Sequence, residues 1–224
     1  LDALPIQEVN DFEYQSKRKG VSHKCGHDGH TTILCGLGQY LSENNPIKGK
    51  VRLLFQQAEE NGEDAKSMLE DKNFATIHPD YIFALHNLPG YQVGEVVVKD
   101  NTFTAAVNSI IIYLHGKTSH AAEPEHGHNP ALALAQILKG SIALQNNNAE
   151  DENMRVISPV YVEMGEKAYG ISAGQASIHL TIRCWDDENL KKLEQEIQSI
   201  SLKIGKEQHL KIEFEYVQRF HANI

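Results

Sequence analysis

Val51-Arg52-Leu53-Leu54-Phe55-Gln56-Gln57-Ala58-Glu59-Glu60 decides how the first half of the chain is read. Its first five residues form a near-continuous apolar run, the pattern of a strand buried on both faces of a parallel sheet. Glu59 and Glu60 then fall at the C-terminal end of that strand, the edge at which open α/β sheets bind ligands. Tyr81-Ile82-Phe83-Ala84-Leu85 repeats the pattern and delivers His86 to the same edge, and residues 93–98 read as a further strand. A helix is expected over residues 64–69. Another is expected over 26–43, with Ile33, Leu34, Leu37 and Leu41 on one face and a stop at Asn44-Asn45-Pro46.

The start of that first helix overlaps His23-Lys24-Cys25-Gly26-His27-Asp28-Gly29-His30. The run combines a thiol, imidazoles and a carboxylate, and its glycines let near neighbours turn toward one point. These donors suit a borderline transition ion, zinc first, with manganese, nickel or cobalt as competitors. Backbone N–H groups at a helix N-terminus lower a thiol's pKa, so Cys25 is expected as a thiolate ligand. Each group alone has a plainer explanation: a solvated acidic turn for Glu59-Glu60, a satisfied polar strand end for His86. Together they favour a site at which Cys25, His27, Glu60 and His86 supply ligands. Glu59, beside a ligand, can serve as general base for an activated water.

After Asp100 the pattern changes. Strands are expected over 107–114, 155–164, 175–184 and 210–217. Helices are expected over 129–145, carrying Leu132, Ala135, Ile137 and Leu138, and over 188–204, with Leu190, Leu193, Ile197, Ile200 and Ile204 at helical spacing. Asp187 would cap the second helix and Gly205 end it. The order β-α-β-β-α-β is the ferredoxin-like unit, whose edge strands are free to pair with a second chain.

A net charge of −9 opposes binding to nucleic acid or an anionic membrane, and no apolar run approaches a membrane span. The cysteines, Cys25, Cys35 and Cys184, form no disulfide framework and suit a reducing compartment, most simply the cytoplasm. The chain begins at Leu1 rather than Met, so its true N-terminus is not visible.

Linked motifs extend the reading. Asp2-Ala3-Leu4-Pro5, the run 23–30 (H-x-C-G-H-D-x-H), Phe55–Glu60 (F-Q-P-A-E-E, with Gln57 for proline), Leu85-His86-Asn87-Leu88-Pro89 (L-H-x-x-P) and His120-Ala121-Ala122-Glu123-Pro124 occur in this order. The chain thereby resembles the M20 metallopeptidase family, in its amidohydrolase branch of aminoacylases, hippurate hydrolases and auxin-conjugate hydrolases. The resemblance implies an enzyme that hydrolyses N-acyl amino acids with two divalent metals per active site. Cys25 would bridge them, with His27 and His86 completing one site, Glu60 in the second, and Glu59 as base. Asp2, Asp28 and His30 would orient ligands.

It further implies an α/β fold: a partial catalytic, zinc-peptidase-like domain with a mixed or mostly parallel sheet over 1–104, an inserted ferredoxin-like satellite domain over 105–219 that forms a homodimer, and the start of a return to the catalytic domain over 220–224. His120 would reach an active site, commonly the partner's, to bind substrate carboxylate or oxyanion. His115, His126, His128, His179 and His209 are given no special role. Family members are longer and supply the second metal's last histidine after the satellite domain, so a truncated member is expected. Tyr169-Gly170-Ile171-Ser172-Ala173 departs from the family's N-x-I-P. A dipeptidase or carboxypeptidase of the same family, and a non-catalytic dimerisation module, are the competing readings.

Overall fold

The computed structural model describes residues 2–45, 48–62 and 64–223, so Pro46 and Ile224 lie outside it. Contacts divide the chain into two units, Leu1–Val96 and Val97–Ile224, a division that falls before the 104/105 boundary expected from sequence.

The first unit contains α1 (His27–Glu43), α2 (Asp64–Glu70) and short 3₁₀ turns at Glu59–Asn61 and Phe74–Thr76. Here the structure corrects the sequence reading. Residues 51–55, 81–85 and 93–98 enter no ladder among the described residues, and the unit's one described bridge joins Leu4 to Ser22. The strands expected there for a mixed or mostly parallel sheet are therefore not found among the described residues, and both described sheets are antiparallel. The physical reason is coverage. A strand that is apolar on both faces needs a neighbour on each edge and a layer on each face. No described layer closes over these runs: Phe83 is 90% and Val93 108% exposed. The face expected on α1 is likewise open, with Ile33 and Leu37 exposed, and the helix buries His27 at its first position instead.

The second unit closes its own core. It adds β1 (Ala106–His115), β2 (Ser119–His120), α3 (Ala131–Ile142), β3 (Arg155–Met164), β4 (Ile171–Ser172), β5 (Gln175–Cys184), α4 (Asp187–Glu207) and β6 (Lys211–Phe220). Four strands form an antiparallel sheet in the order β3-β5-β1-β6, and β2 pairs with β4 in a separate ribbon. Alternation along β1 and β5 sends Ile110, Ile112, Leu114, Ile178, Leu180 and Ile182 into one core with Leu190, Leu193 and Ile197 of α4 and Ala133 and Ile137 of α3. The whole is a mixed α/β fold.

Three details differ from expectation. Asp186, not Asp187, caps α4, accepting the Asn189 N–H at 2.7 Å. Gly205 does not end that helix. A Cβ there would lie 2.4 Å from Ile212 Cγ1, so glycine serves the close approach of α4 to β6. On α3 the buried stripe is Ala133, Ile137 and Ser141, and Leu132 faces solvent.

Candidate metal centre

Chain reversals bring the donors together in the first unit. Gly26 stands immediately before α1 with φ 88°, a left-handed conformation that glycine adopts freely. It lets the loop bearing Cys25 turn sharply into the helix that starts with His27. Opposite, Ala58 at φ 64° and Gly62 at φ 73° bracket the 3₁₀ turn that presents Glu59 and Glu60. A left-handed alanine costs on the order of 1 kcal/mol, so the turn is held by its surroundings.

Asp2 supplies part of that hold. Its Oδ2 accepts the Glu60 N–H at 3.0 Å, and its Oδ1 lies 3.3 Å from His27 Nδ1. Burial acts to raise its pKa. The N–H bonds from Glu60 and Asp2 itself, with the nearby positive groups, outweigh that, and the carboxyl sits below the ordinary 3.8.

The imidazoles are oriented by main-chain oxygens. His27 is buried, and its Nδ1–H donates to the Asp2 carbonyl at 3.0 Å. Its Nε2 then faces Glu59 Oε2 at 3.5 Å and Glu60 Oε1 at 3.8 Å, and in the neutral ring that is the nitrogen left free to bind a cation. His86 Nδ1–H donates to the Asn87 carbonyl at 2.9 Å, which turns Nε2 toward Cys25 Sγ at 3.4 Å. His30 Nε2 meets Asn87 Oδ1 at 2.8 Å, and its ring lies 4.5 Å from that of His86.

Two donor groups result. Cys25, His27 and His86 place one ligand atom each within 4.8 Å of one another, and so do His27, Glu59 and Glu60. His27 is common to both, whereas the family resemblance made Cys25 the shared ligand. The set fits a divalent transition ion on its own chemistry: thiol, two imidazoles whose Nε2 faces the other donors, and carboxylates, with the far nitrogens held by carbonyls.

Cys25 corrects another expectation. Its thiol is raised above the ordinary 9.0 by burial first, then by the charges of Glu60 and Glu59. Burial and the two carboxylates thus act against ionisation of the thiol in the metal-free chain, the reverse of the shift expected from the helix terminus alone. Binding a metal there releases a proton.

The structure thus brings Cys25, His27, Glu59, Glu60, His86, Asp2 and His30 into one cluster. Asp28 is not drawn in: its Oδ1 accepts Gly29 N–H at 2.9 Å on its own helix turn. His120 lies in the second unit on β2, where its Nδ1 accepts the Ala122 N–H at 3.1 Å. Asn87 is the participant that sequence reasoning passed over, and its position directly after His86 was the available signal.

Residues 1–218 match the description Peptidase family M20/M25/M40. The hippurate hydrolase of Campylobacter jejuni is 33% identical over 212 residues, covering 95% of this chain and 55% of that protein. The N-acetyl-L-cysteine deacetylase of Bacillus subtilis is 34% identical over 206 residues, 92% of this chain and 49% of that one. The chain therefore spans about half the length of these relatives. The crystal structure of Bacillus subtilis YXEP, described as a dinuclear metal binding peptidase of the M20 family, superposes with a TM-score of 0.76 at 28% identity, over 99% of this chain and 56% of its own.

Proposed function

The chain belongs to peptidase family M20/M25/M40, and from that premise we propose that it carries the metal centre of an amidohydrolase acting on N-acyl amino acids. The observation that carries this reading is the convergence of Cys25, His27, His86, Glu59 and Glu60, with both imidazoles fixed so that Nε2 faces the other donors. Cys25, His27, Glu60 and His86 would hold divalent metal, zinc first and manganese next, two ions in the complete site. When bound, the metal supplies the Lewis acidity that polarises an amide carbonyl and acidifies water. Glu59, the more exposed of the two acids, takes the proton from the attacking water and returns it to the departing amine nitrogen.

The second unit is read as the ferredoxin-like satellite. Its β-α-β-β-α-β order supports this, and the edge strand β3 exposes Val160, Tyr161 and Val162, a surface suited to pairing with a second copy. In that dimer His120 is assigned to the substrate's carboxylate or the oxyanion. Free Cys25, Cys35 and Cys184 support a reducing, cytoplasmic setting. No described helix is long and apolar enough to cross a membrane.

Glu59→Gln tests the assignment. Turnover of an N-acyl amino acid panel should fall by roughly 10²- to 10⁴-fold with metal content unchanged. Unaltered turnover removes Glu59 from the role of base.

A further inference from the structure

We infer that Asn87 is a positioning residue that locks the donor face of the metal centre, an inference that rests on the metal reading above. Three contacts meet at this one residue. Its carbonyl accepts His86 Nδ1–H at 2.9 Å. Its side-chain Oδ1 lies 2.8 Å from His30 Nε2. The same Oδ1 fills the space above Gly26, where a Cβ would come within 2.5 Å of it. Asn87 therefore joins the loop carrying Cys25, the first turn of α1 and the segment carrying His86. These pieces share no ladder and little core.

The chemistry of each contact gives the lock a direction. The carbonyl bond selects the His86 tautomer whose Nε2 lone pair faces Cys25 Sγ. The main-chain N–H of Asn87 also lies 3.1 Å from His30 Nε2. Asn87 thus grips this one ring nitrogen with both its main chain, whose N–H donates to Nε2, and its side chain. The His30 ring, so held, packs at 4.5 Å against that of His86 and keeps it from swinging away from the thiol. Gly26 is needed twice over, for its left-handed φ and for the room it leaves Asn87.

Cobalt(II) titration of the 224-residue chain reads the lock without using turnover, because thiolate-to-cobalt absorption reports Cys25 and the visible bands report ligand number. Asn87→Leu, similar in size but without the acceptor, should weaken cobalt binding by about 10- to 100-fold. Asn87→Asp restores an acceptor and should recover most of that loss, which a merely space-filling role would not do. Equal affinity in Asn87→Leu and wild type overturns the proposal, as does a leucine variant no weaker than the aspartate one. Should Asn87→Leu fail to fold, histidine ¹⁵N spectra of the wild-type protein decide. A fixed Nδ1–H on His86 with a single tautomer at His30 supports the lock, and tautomer averaging at either ring refutes it. A wild-type chain that takes up no cobalt refutes the metal reading itself, and this inference with it.

Discussion

In the second unit Ile110, Ile112, Leu180 and Ile197 are wholly shielded from water, whereas in the first unit Val51, Phe83 and Val93 stand in it. The two regions have comparable apolar runs and end differently because only one supplies the layers to cover them. The second unit is held by burial at roughly 25 cal/mol per Å² of apolar surface. Around the metal centre, order rests instead on polar ties: Asp2 to Glu60 and His27, Asn87 to His30, and the paired main-chain bonds between Leu4 and Ser22. Stability and chemistry are thus lodged in separate units, and damage to one should leave the other largely intact.

Ile197→Ala puts the largest strain on that separation. Removing a fully buried branched side chain from the α4 face of the core should cost about 2–5 kcal/mol in urea unfolding. Trp185, the chain's single tryptophan and part of the second unit, reports the transition. Cobalt affinity should hardly move. A matching loss of cobalt binding would mean that the two units stand or fall together.

Cys184 sharpens the comparison from the alkaline side. Its thiol is buried on β5, and burial, outweighing the nearby Arg155 charge, pushes its pKa up from 9.0 to about 11. An acid raised by folding stabilises the fold below its unfolded pKa and loses that contribution as pH climbs through the folded value. The second unit should therefore lose stability between about pH 9 and 11, by no more than about 3 kcal/mol. Cys184→Ala should flatten that slope in pH-dependent urea melts. An unchanged slope would place the alkaline limit elsewhere.

How much of this could be read beforehand follows the same divide. β3 and β5 match their expected bounds because the alternation of β5, the glycines between the two strands and the covering helices all lie within the second unit. Errors there were local. Asp186 and Asp187 are adjacent acids that compete for one cap, and Gly205 reads as a helix stop until Ile212 is seen against it. In the first unit, continuous apolar character at 51–55 and 81–85 signals burial on both faces, a property of neighbours rather than of the run itself. The convergence of Cys25, His27, Glu59, Glu60 and His86 was legible through residue type, since these are donors that metal chemistry uses. Asn87 was passed over, because its place directly after His86 marks it as a neighbour of the site without showing that its two ends bond two rings. The direction of the Cys25 shift was missed because a helix terminus is visible in sequence, while burial of the thiol and two carboxylates converging on it are not.

Asp2 gives the smallest effect and the most local one. Its folded pKa is depressed, so what it contributes is present above the ordinary 3.8 and lost as pH falls through the folded value. The carboxylate lies at the rim of the cluster and partly in solvent, so the energy at stake is well under about 1 kcal/mol. A global melt would miss it, and the Glu60 amide, which donates to Asp2 Oδ2, would not. In metal-free protein that amide proton should shift upfield on acidification with a midpoint below 3.8, and Asp2→Asn should abolish the step. Core amides of β1 and β5 should stay unmoved over the same range. If they shift along with Glu60, the acid limit belongs to the whole chain and not to the tie that holds the Glu59-Glu60 turn.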